Sequence, residues 1–344
     1  MNQEYIRVFP LAKHKTFIIA EAGVNHNGSL DMAKELVIKA AESGADAVKF
    51  QTFKAETIAT ADAKKAEYQE KTTSAGDSQF DMLKQLELSH DMHVELMRCC
   101  DEHNILFLSS PFDCESVDYL AGLDLPLFKI PSGEITHVPY LRKIASYNKP
   151  TILSTGMCNS DDVQFGVDTL VSAGLDTDKL TLLHCTTEYP CPFTDVNLRV
   201  LKTLADTFSV DVGYSDHTEG IAVSLAAVAL GATVIEKHFT LDKTLPGPDH
   251  KASMNPDELN ALVVGIRQIE ASLGTAEKVP TDSELKNISI VRKSIVAKKA
   301  IQQGDLFSED NLICKRPATG ISSTKWDELI GTHAKQDYAR DDLI

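Results

Sequence analysis

Two lysines in this sequence close apolar runs: Lys49 follows Ala47-Val48, and Lys129 follows Leu127-Phe128. A buried ammonium without a partner is costly. Each lysine is therefore either an internal partner of Glu21 or Glu134, or a cation kept for a bound anion. Ser109, Ser110, Ser132, Ser154 and Ser215 end apolar runs in the same way. Hydroxyl donors gathered with two lysines make a phosphate or carboxylate site. His217 and His238 also end such runs. As neutral imidazoles they suit a divalent ion such as manganese, zinc or cobalt. Two protein ligands leave positions for water and substrate, as a Lewis-acid role requires. Taken singly, each could be a hydrogen-bonded core histidine, and His184 is a less clearly placed third. The acids Glu21, Glu134 and Glu236 could orient a sugar hydroxyl or move a proton, or simply balance the lysines. Asp249, in the loop Pro246-Gly-Pro-Asp-His250, is a candidate sugar contact.

Such residues need a common frame, and the sequence repeats one. Eight β-rich apolar runs end in polar residues: Thr16–Gly23, Ala47–Phe53, Ile105–Asp113, Leu127–Glu134, Pro150–Met157, Leu180–Pro190, Asp211–Thr218 and Thr233–Thr240. Continuous apolar character predicts strands buried on both faces, as in a parallel sheet. Helical patterns fill most gaps. Ser29–Ser43 is the clearest, with Ser29 as N-cap, Asp31 in the first turn and Gly44 as stop. Eight strands alternating with helices predict an α/β fold, a (β/α)8 TIM barrel over residues 1–273, with its chemistry at the C-terminal strand ends. A doubly wound sheet is the alternative, but the turn after the first strand lacks the glycine fingerprint that such a sheet carries. Residues 274–290 read as a linker. Residues 291–344 form a small β-rich module of a size near the lower limit for independent stability.

Composition narrows the function. The formal net charge is −16, which argues against nucleic acid or an anionic membrane as main partner. Any phosphate site must then come from local cations. No apolar run is long enough to span a membrane, and Met1–Lys15 lacks a secretion-signal pattern. The seven cysteines show no CxxC spacing, which fits reduced thiols in the cytoplasm. Cys185, within an apolar run, is expected in the core.

In order along the chain stand Ile-Ala-Glu21-Ala-Gly-Val-Asn-His-Asn-Gly28, Val-Lys49-Phe-Gln51, Phe-Lys129-Ile-Pro-Ser132-Gly-Glu134, Leu-Ser154-Thr-Gly-Met157, His184-Cys-Thr-Thr-Glu-Tyr189-Pro, Tyr-Ser215-Asp-His217-Thr and Glu236-Lys-His238-Phe-Thr. Through these phrases the chain resembles the sialic acid synthase family over essentially its whole length. Its tail, with Lys315-Arg316-Pro-Ala-Thr-Gly-Ile-Ser322, resembles the antifreeze-like SAF module attached to those enzymes. The resemblance implies that Lys49, Ser110, Lys129, Ser132, Ser154 and Ser215 hold phosphoenolpyruvate. It implies that His217 and His238 bind a divalent metal, manganese first, with magnesium or cobalt as alternatives. Glu21, Tyr189, Glu236 and Asp249 would face an amino sugar, with Glu134 near the reacting carbons. Glu21, Lys49, Lys129, Glu134 and Glu236 are the implied catalytic set. Arg316 would reach the acyl group of a sugar bound by the partner in a domain-swapped homodimer. One departure is that Thr187 and Glu188 stand where some sialic acid synthases carry asparagine and an apolar residue, so sugar contacts near Tyr189 should differ.

Within the family the wording is most similar to the bacterial legionaminic acid synthases. The implied reaction joins phosphoenolpyruvate to 2,4-diacetamido-2,4,6-trideoxymannose. N-acetylneuraminic acid synthesis from N-acetylmannosamine ranks second and pseudaminic acid synthesis third. Two rivals stand further off. A Schiff-base aldolase could use Lys49 or Lys129 but needs no histidine pair. A non-catalytic sugar- or ice-binding protein would explain the tail alone.

Overall fold

The computed structural model describes residues 15–60, 63, 65 and 78–344. It divides into two compact units, Met1–Gly274 and Thr275–Ile344. The first is a barrel. Its strands are β1 (Phe17–Gly23), β2 (Ala47–Thr52), β3 (Leu106–Pro111), β4 (Phe128–Ile130), β5 (Thr151–Ser154), β6 (Leu180–Cys185), β7 (Asp211–Asp216) and β8 (Val234–His238). All pair in parallel, in the order β3-β2-β1-β8-β7-β6-β5-β4. Each predicted apolar run contains one of them.

Parallel strands need crossover connections, and helices supply them. Helix Leu30–Glu42 starts where the Ser29 hydroxyl accepts from the Met32 N–H, and it buries Ala33, Leu36, Val37 and Ala40. Helix Pro256–Leu273 starts with a reciprocal cap between Asn255 and Glu258 and closes the barrel unit. The main core lies between the helices and the outward faces of the strands, and includes Ile18, Val48, Phe50, Phe128, Tyr214 and Ile235.

A second, separate cluster fills the inside of the barrel: Phe17, Ile19, Ala47, Leu108, Leu127, Ile152, Leu183 and Val234. The β7 position in this layer is Gly213. A Cβ there would meet the Val234 carbonyl at 2.5 Å and Leu183 at 2.6 Å, so only glycine fits. The interior is packed, as barrels of this size require.

The second unit has strands β9 (Ser294–Ala297) and β10 (Leu312–Lys315), paired antiparallel. They enclose Ile295, Ala297, Ile301, Phe307, Leu312 and Ala334. The segment read as a linker, 274–290, carries most of a helix, Asp282–Val291. Thr281 and Glu284 cap it reciprocally, while none of its side chains is buried.

Candidate active site

Side chains on a strand alternate between faces, and this alternation builds the site. Two residues after each floor position comes a second inward residue. Ile19 leads to Glu21, Ala47 to Lys49, Leu108 to Ser110 and Leu127 to Lys129. Ile152 leads to Ser154, Leu183 to Cys185, Gly213 to Ser215 and Val234 to Glu236. All eight second residues line one cavity of about 370 Å3 at the C-terminal ends of the strands. One step further out, Gln51, His217 and His238 line it too. The βα turns add Ser132, Glu134, Thr187, Tyr189 and Asp249.

Above the apolar floor, the inward residues of this cavity form an ion cluster. Lys49 Nζ lies 2.5 Å from Glu21 Oε2 and 3.4 Å from Glu236 Oε2. It also donates to Ser110 Oγ at 3.0 Å. Lys129 Nζ approaches only the other oxygen of Glu236, at 3.4 Å. The two lysines therefore differ. Burial works against the charge of Lys49, but Glu21 and Glu236 outweigh it and hold its pKa above the ordinary value. At Lys129 burial wins, and the pKa is lowered. Burial likewise raises the Glu21 carboxyl, against the pull of Lys49. Burial opposes the charge of Glu236 as well, yet Lys129 and Lys49 together depress its pKa. Ion pairing, one of the two readings of the lysines, is present: Lys49 pairs with Glu21 as expected, while Lys129 pairs with Glu236 and not with Glu21 or Glu134, and both lysines line the cavity. Glu134 does not balance a lysine. Its Oε2 lies 2.7 Å from His137 Nδ1.

Hydroxyls ring the cluster. Ser215 donates to Glu236 at 2.9 Å. Ser132 accepts the Gly156 N–H at 2.8 Å and sits 3.3 Å from the Cys185 thiol. Among the described residues, the buried Ser154 Oγ has no hydrogen-bond partner. Ser109 is the exception among the five serines. Its parity is outward, and it bonds Thr52 Oγ1 at 2.6 Å, which in turn meets His93 Nε2 at 2.8 Å. Cys185 is buried as expected, but its thiol faces the cavity. Burial raises its pKa, so it is a neutral wall and not a nucleophile.

The histidine pair lies across the cavity. Ring centroids of His217 and His238 are 5.6 Å apart, and Tyr189 stands 4.2 Å from the first. Burial lowers the pKa of both rings, so both are neutral. His217 Nδ1 is 2.6 Å from the Thr186 carbonyl. A carbonyl only accepts, so Nδ1 carries the proton and Nε2 keeps a free lone pair. Among the described residues, the buried His238 Nδ1 has no hydrogen-bond partner; it lies 3.8 Å from Asp249 Oδ2. Burial lifts the Asp249 carboxyl to about 6. Two neutral imidazoles, one with its tautomer fixed by a carbonyl, fit a divalent metal. Between these histidines and the inward Ser215 and Glu236 lie the outward Asp216 and Lys237. They are cross-strand neighbours and form a buried ion pair at 3.0 Å, which ties the ends of β7 and β8 together. His184 has outward parity and bonds the Val196 carbonyl at 2.6 Å. Among the described residues, no cluster of three or more His, Cys, Asp or Glu side chains is gathered for a metal.

These residues lie along a chain that matches the NeuB family over residues 36–278, while residues 292–344 match the SAF domain. The chain belongs to the NeuB family. It is 57% identical to the N,N'-diacetyllegionaminic acid synthase of Campylobacter jejuni, over 96% of this chain and 99% of that one. Identity to the N,N'-diacetyllegionaminic acid synthase of Legionella pneumophila is 51%, over 92% and 89%. A solved N-acetylneuraminic acid synthetase from Leptospira borgpetersenii superposes with a TM-score of 0.70 at 32% identity, covering 80% of this chain and 91% of that one. Arg316, the remaining expected site residue, follows β10 in the SAF unit.

Gln51 was not singled out from sequence, although it donates to Glu21 at 3.3 Å. The signal was present, since Gln51 lies two residues after Lys49 and shares its face.

Proposed function

We propose that the barrel condenses phosphoenolpyruvate with 2,4-diacetamido-2,4,6-trideoxymannose, giving N,N'-diacetyllegionaminic acid and phosphate. One observation carries the reading: two lysines and an unpartnered serine hydroxyl face a neutral histidine pair across one cavity. A polyanion fits the first group and a metal-polarised carbonyl fits the second.

In this reading Lys129 and Lys49 hold the phosphate and carboxylate of phosphoenolpyruvate. Lys129 does most, because Lys49 is already engaged by two carboxylates. Ser154 donates its free hydroxyl, and Ser110, Ser132 and Ser215 complete the anion site. His217 and His238 would hold a divalent ion, manganese first, which supplies Lewis-acid polarisation of the sugar aldehyde. Glu21, Tyr189, Asp249 and Gln51 orient the sugar. Carbon 3 of phosphoenolpyruvate attacks the aldehyde carbon, water adds to carbon 2, and the C–O bond to phosphate breaks. Glu236, kept ionised between two lysines, and Glu134 face the carbons where positive charge develops. Preorganised charges of this kind are commonly the largest catalytic contribution.

Arg316 belongs to the same reading. Its guanidinium fork suits an acyl carbonyl, and we place it over the sugar of the partner in a cytoplasmic homodimer. Among the described residues no helix is long and apolar enough to cross a membrane. Mixing Arg316→Ala chains with Lys129→Ala chains should restore part of the activity that each lacks alone. Subunit exchange without recovery would remove the swapped arrangement.

Phosphate release from phosphoenolpyruvate tests the reaction. The diacetamido sugar should be the better acceptor. Faster release with N-acetylmannosamine would move the assignment to N-acetylneuraminic acid. Release with neither sugar would overturn it.

A further inference from the structure

One wall of the cavity takes no part in the chemistry above, and it is apolar. Val24 follows β1, Phe112 follows β3, and Ile58, Met82, Leu83 and Leu86 come from the connection between β2 and β3. Val24, Met82 and Leu86 are buried, and the six, together with Phe53, form a hydrophobic cluster distinct from both barrel cores. The connection that delivers four of them runs from Thr52 to His90. That is far longer than the roughly two to six residues that a βα turn needs. Ile58, Met82, Leu83 and Leu86 are not required to close the barrel; what they contribute is a wall.

Phosphoenolpyruvate does not match this wall. It is a small polyanion, and the lysines and serines satisfy it elsewhere in the cavity. The sugar is the remaining occupant, and its polar edge has Glu21, Gln51 and Asp249 to face. Its other edge must then meet the apolar residues. The rival sugars differ in what such an edge carries. The diacetamido trideoxy sugar has a methyl group at carbon 6 and an acyl methyl at carbon 4. N-acetylmannosamine has a hydroxyl at each position. A hydroxyl pressed against aliphatic side chains gives up its water and finds no partner, whereas a methyl group gains by the same burial. Gln79 lines the cavity beside this wall and offers an amide to the carbon-4 acylamino group.

We propose that this wall is the specificity element of the site, and that it selects sugars that are deoxygenated at carbon 6 and acylaminated at carbon 4. The proposal rests on the condensation reading above.

The test is phosphate release by the full-length, manganese-loaded chain, with the diacetamido trideoxy sugar, its carbon-6 hydroxy counterpart and N-acetylmannosamine. An apolar pocket rejects an added hydroxyl by about 10²-fold in kcat/KM, so that preference is expected for the deoxy sugar over its hydroxy counterpart. Leu83→Gln and Ile58→Thr alter side chains that are only partly buried. Each should narrow the preference by about tenfold. The change should appear in the KM of the sugar and leave that of phosphoenolpyruvate unmoved. A wild-type preference below about threefold would overturn the proposal, since a wall that excludes hydroxyls must do better. So would an unchanged preference in both variants, with melting curves confirming that they fold. If neither variant folds, the wild-type ratio decides alone. Equal release from all three sugars removes the wall's role and leaves the condensation standing. No release from any sugar removes the condensation, and the wall proposal falls with it.

Discussion

The same eight strands line two interiors of opposite character. At the floor, Phe17, Ile19, Leu108, Leu127, Ile152, Leu183 and Val234 pack against one another with no polar atom among their side chains. Two residues further along each strand, Glu21, Lys49, Lys129 and Glu236 are almost as deeply buried, yet carry four ionisable groups. Apolar atoms at the floor gain by leaving water. Charges at the mouth lose hydration, and only mutual pairing offsets the loss. The floor is therefore where stability comes from. The mouth is a place where the fold tolerates an unfavourable arrangement, which on the proposed function a ligand would complete.

The largest expected effect concerns the mouth alone. Stripping divalent ions should abolish turnover, and manganese should restore it. Full turnover in a rigorously metal-free sample would remove the histidine pair from the chemistry. Next in size is a floor substitution. Phe17→Ala should cost about 3–5 kcal/mol of stability in urea unfolding, the usual range for a buried aromatic. Affinity for phosphoenolpyruvate, measured below the transition, should stay the same. A matching loss of affinity would mean that floor and mouth are not separable.

Lys129→Ala reverses that pattern. Calorimetry should show phosphoenolpyruvate binding weakened by about 2–5 kcal/mol, as for truncation of one partner in a buried charge pair. Lys49→Ala should cost a similar amount of affinity, and it should also destabilise the fold, since Glu21 loses its closest cation and Glu236 keeps only Lys129. If Lys129→Ala binds normally, the anion site lies elsewhere.

A smaller effect tests the buried layer just behind the mouth. His26 follows β1, is fully buried, and accepts the Gly28 N–H at Nδ1, 3.0 Å away. Burial lowers its pKa from 6.5 to about 4. Below pH 6.5 the unfolded chain takes up a proton that the native state refuses until about pH 4. The unfolded state then holds more protons, so stability rises with pH across this window. This stabilisation is fully present above pH 6.5 and is lost as pH falls, by up to about 3 kcal/mol. Urea midpoints at pH 5 and pH 7 should differ less in His26→Gln than in the wild type. An equal difference would show that His26 contributes nothing to the slope.

The comparison also explains what could be read from sequence. Floor and mouth share one periodicity, so an apolar run ending in a lysine, serine, histidine or glutamate displays both. That made the eight strands and most of the charged layer legible. Parity settled what composition could not. Ser109 and Ser110 are adjacent serines, and only the second faces in. Cys185 looked like core because it is apolar in type, but its register turns it to the cavity. The apolar wall was hidden because Met82 and Leu86 lie outside the strand pattern and resemble ordinary core residues. Helix Asp282–Val291 was hidden for the opposite reason. It buries no face and so shows no apolar stripe, although Thr281 followed by Glu284 is a capping signature.

The smallest effect separates stability from function most sharply. Ser154 occupies a mouth position on β5, directly above Ile152 on the floor. Its hydroxyl is buried with no partner among the described residues, so the free protein bears a desolvation cost there that no hydrogen bond among them recovers. Removing the oxygen should relieve that cost. Ser154→Ala is thus expected to stabilise the free chain by up to about 1 kcal/mol, within the range for an unsatisfied buried group. Lys129→Ala, by contrast, removes a charge that is already paired. With phosphoenolpyruvate bound, the wild-type hydroxyl gains a charged acceptor, and such bonds are worth about 1.5–3 kcal/mol. The variant should therefore bind the anion more weakly while melting at a higher temperature. Opposite signs in the two measurements, from the loss of one atom, are what a preorganised site requires. A variant that loses stability would show that the hydroxyl serves the fold, and one that binds normally would place the phosphate away from β5.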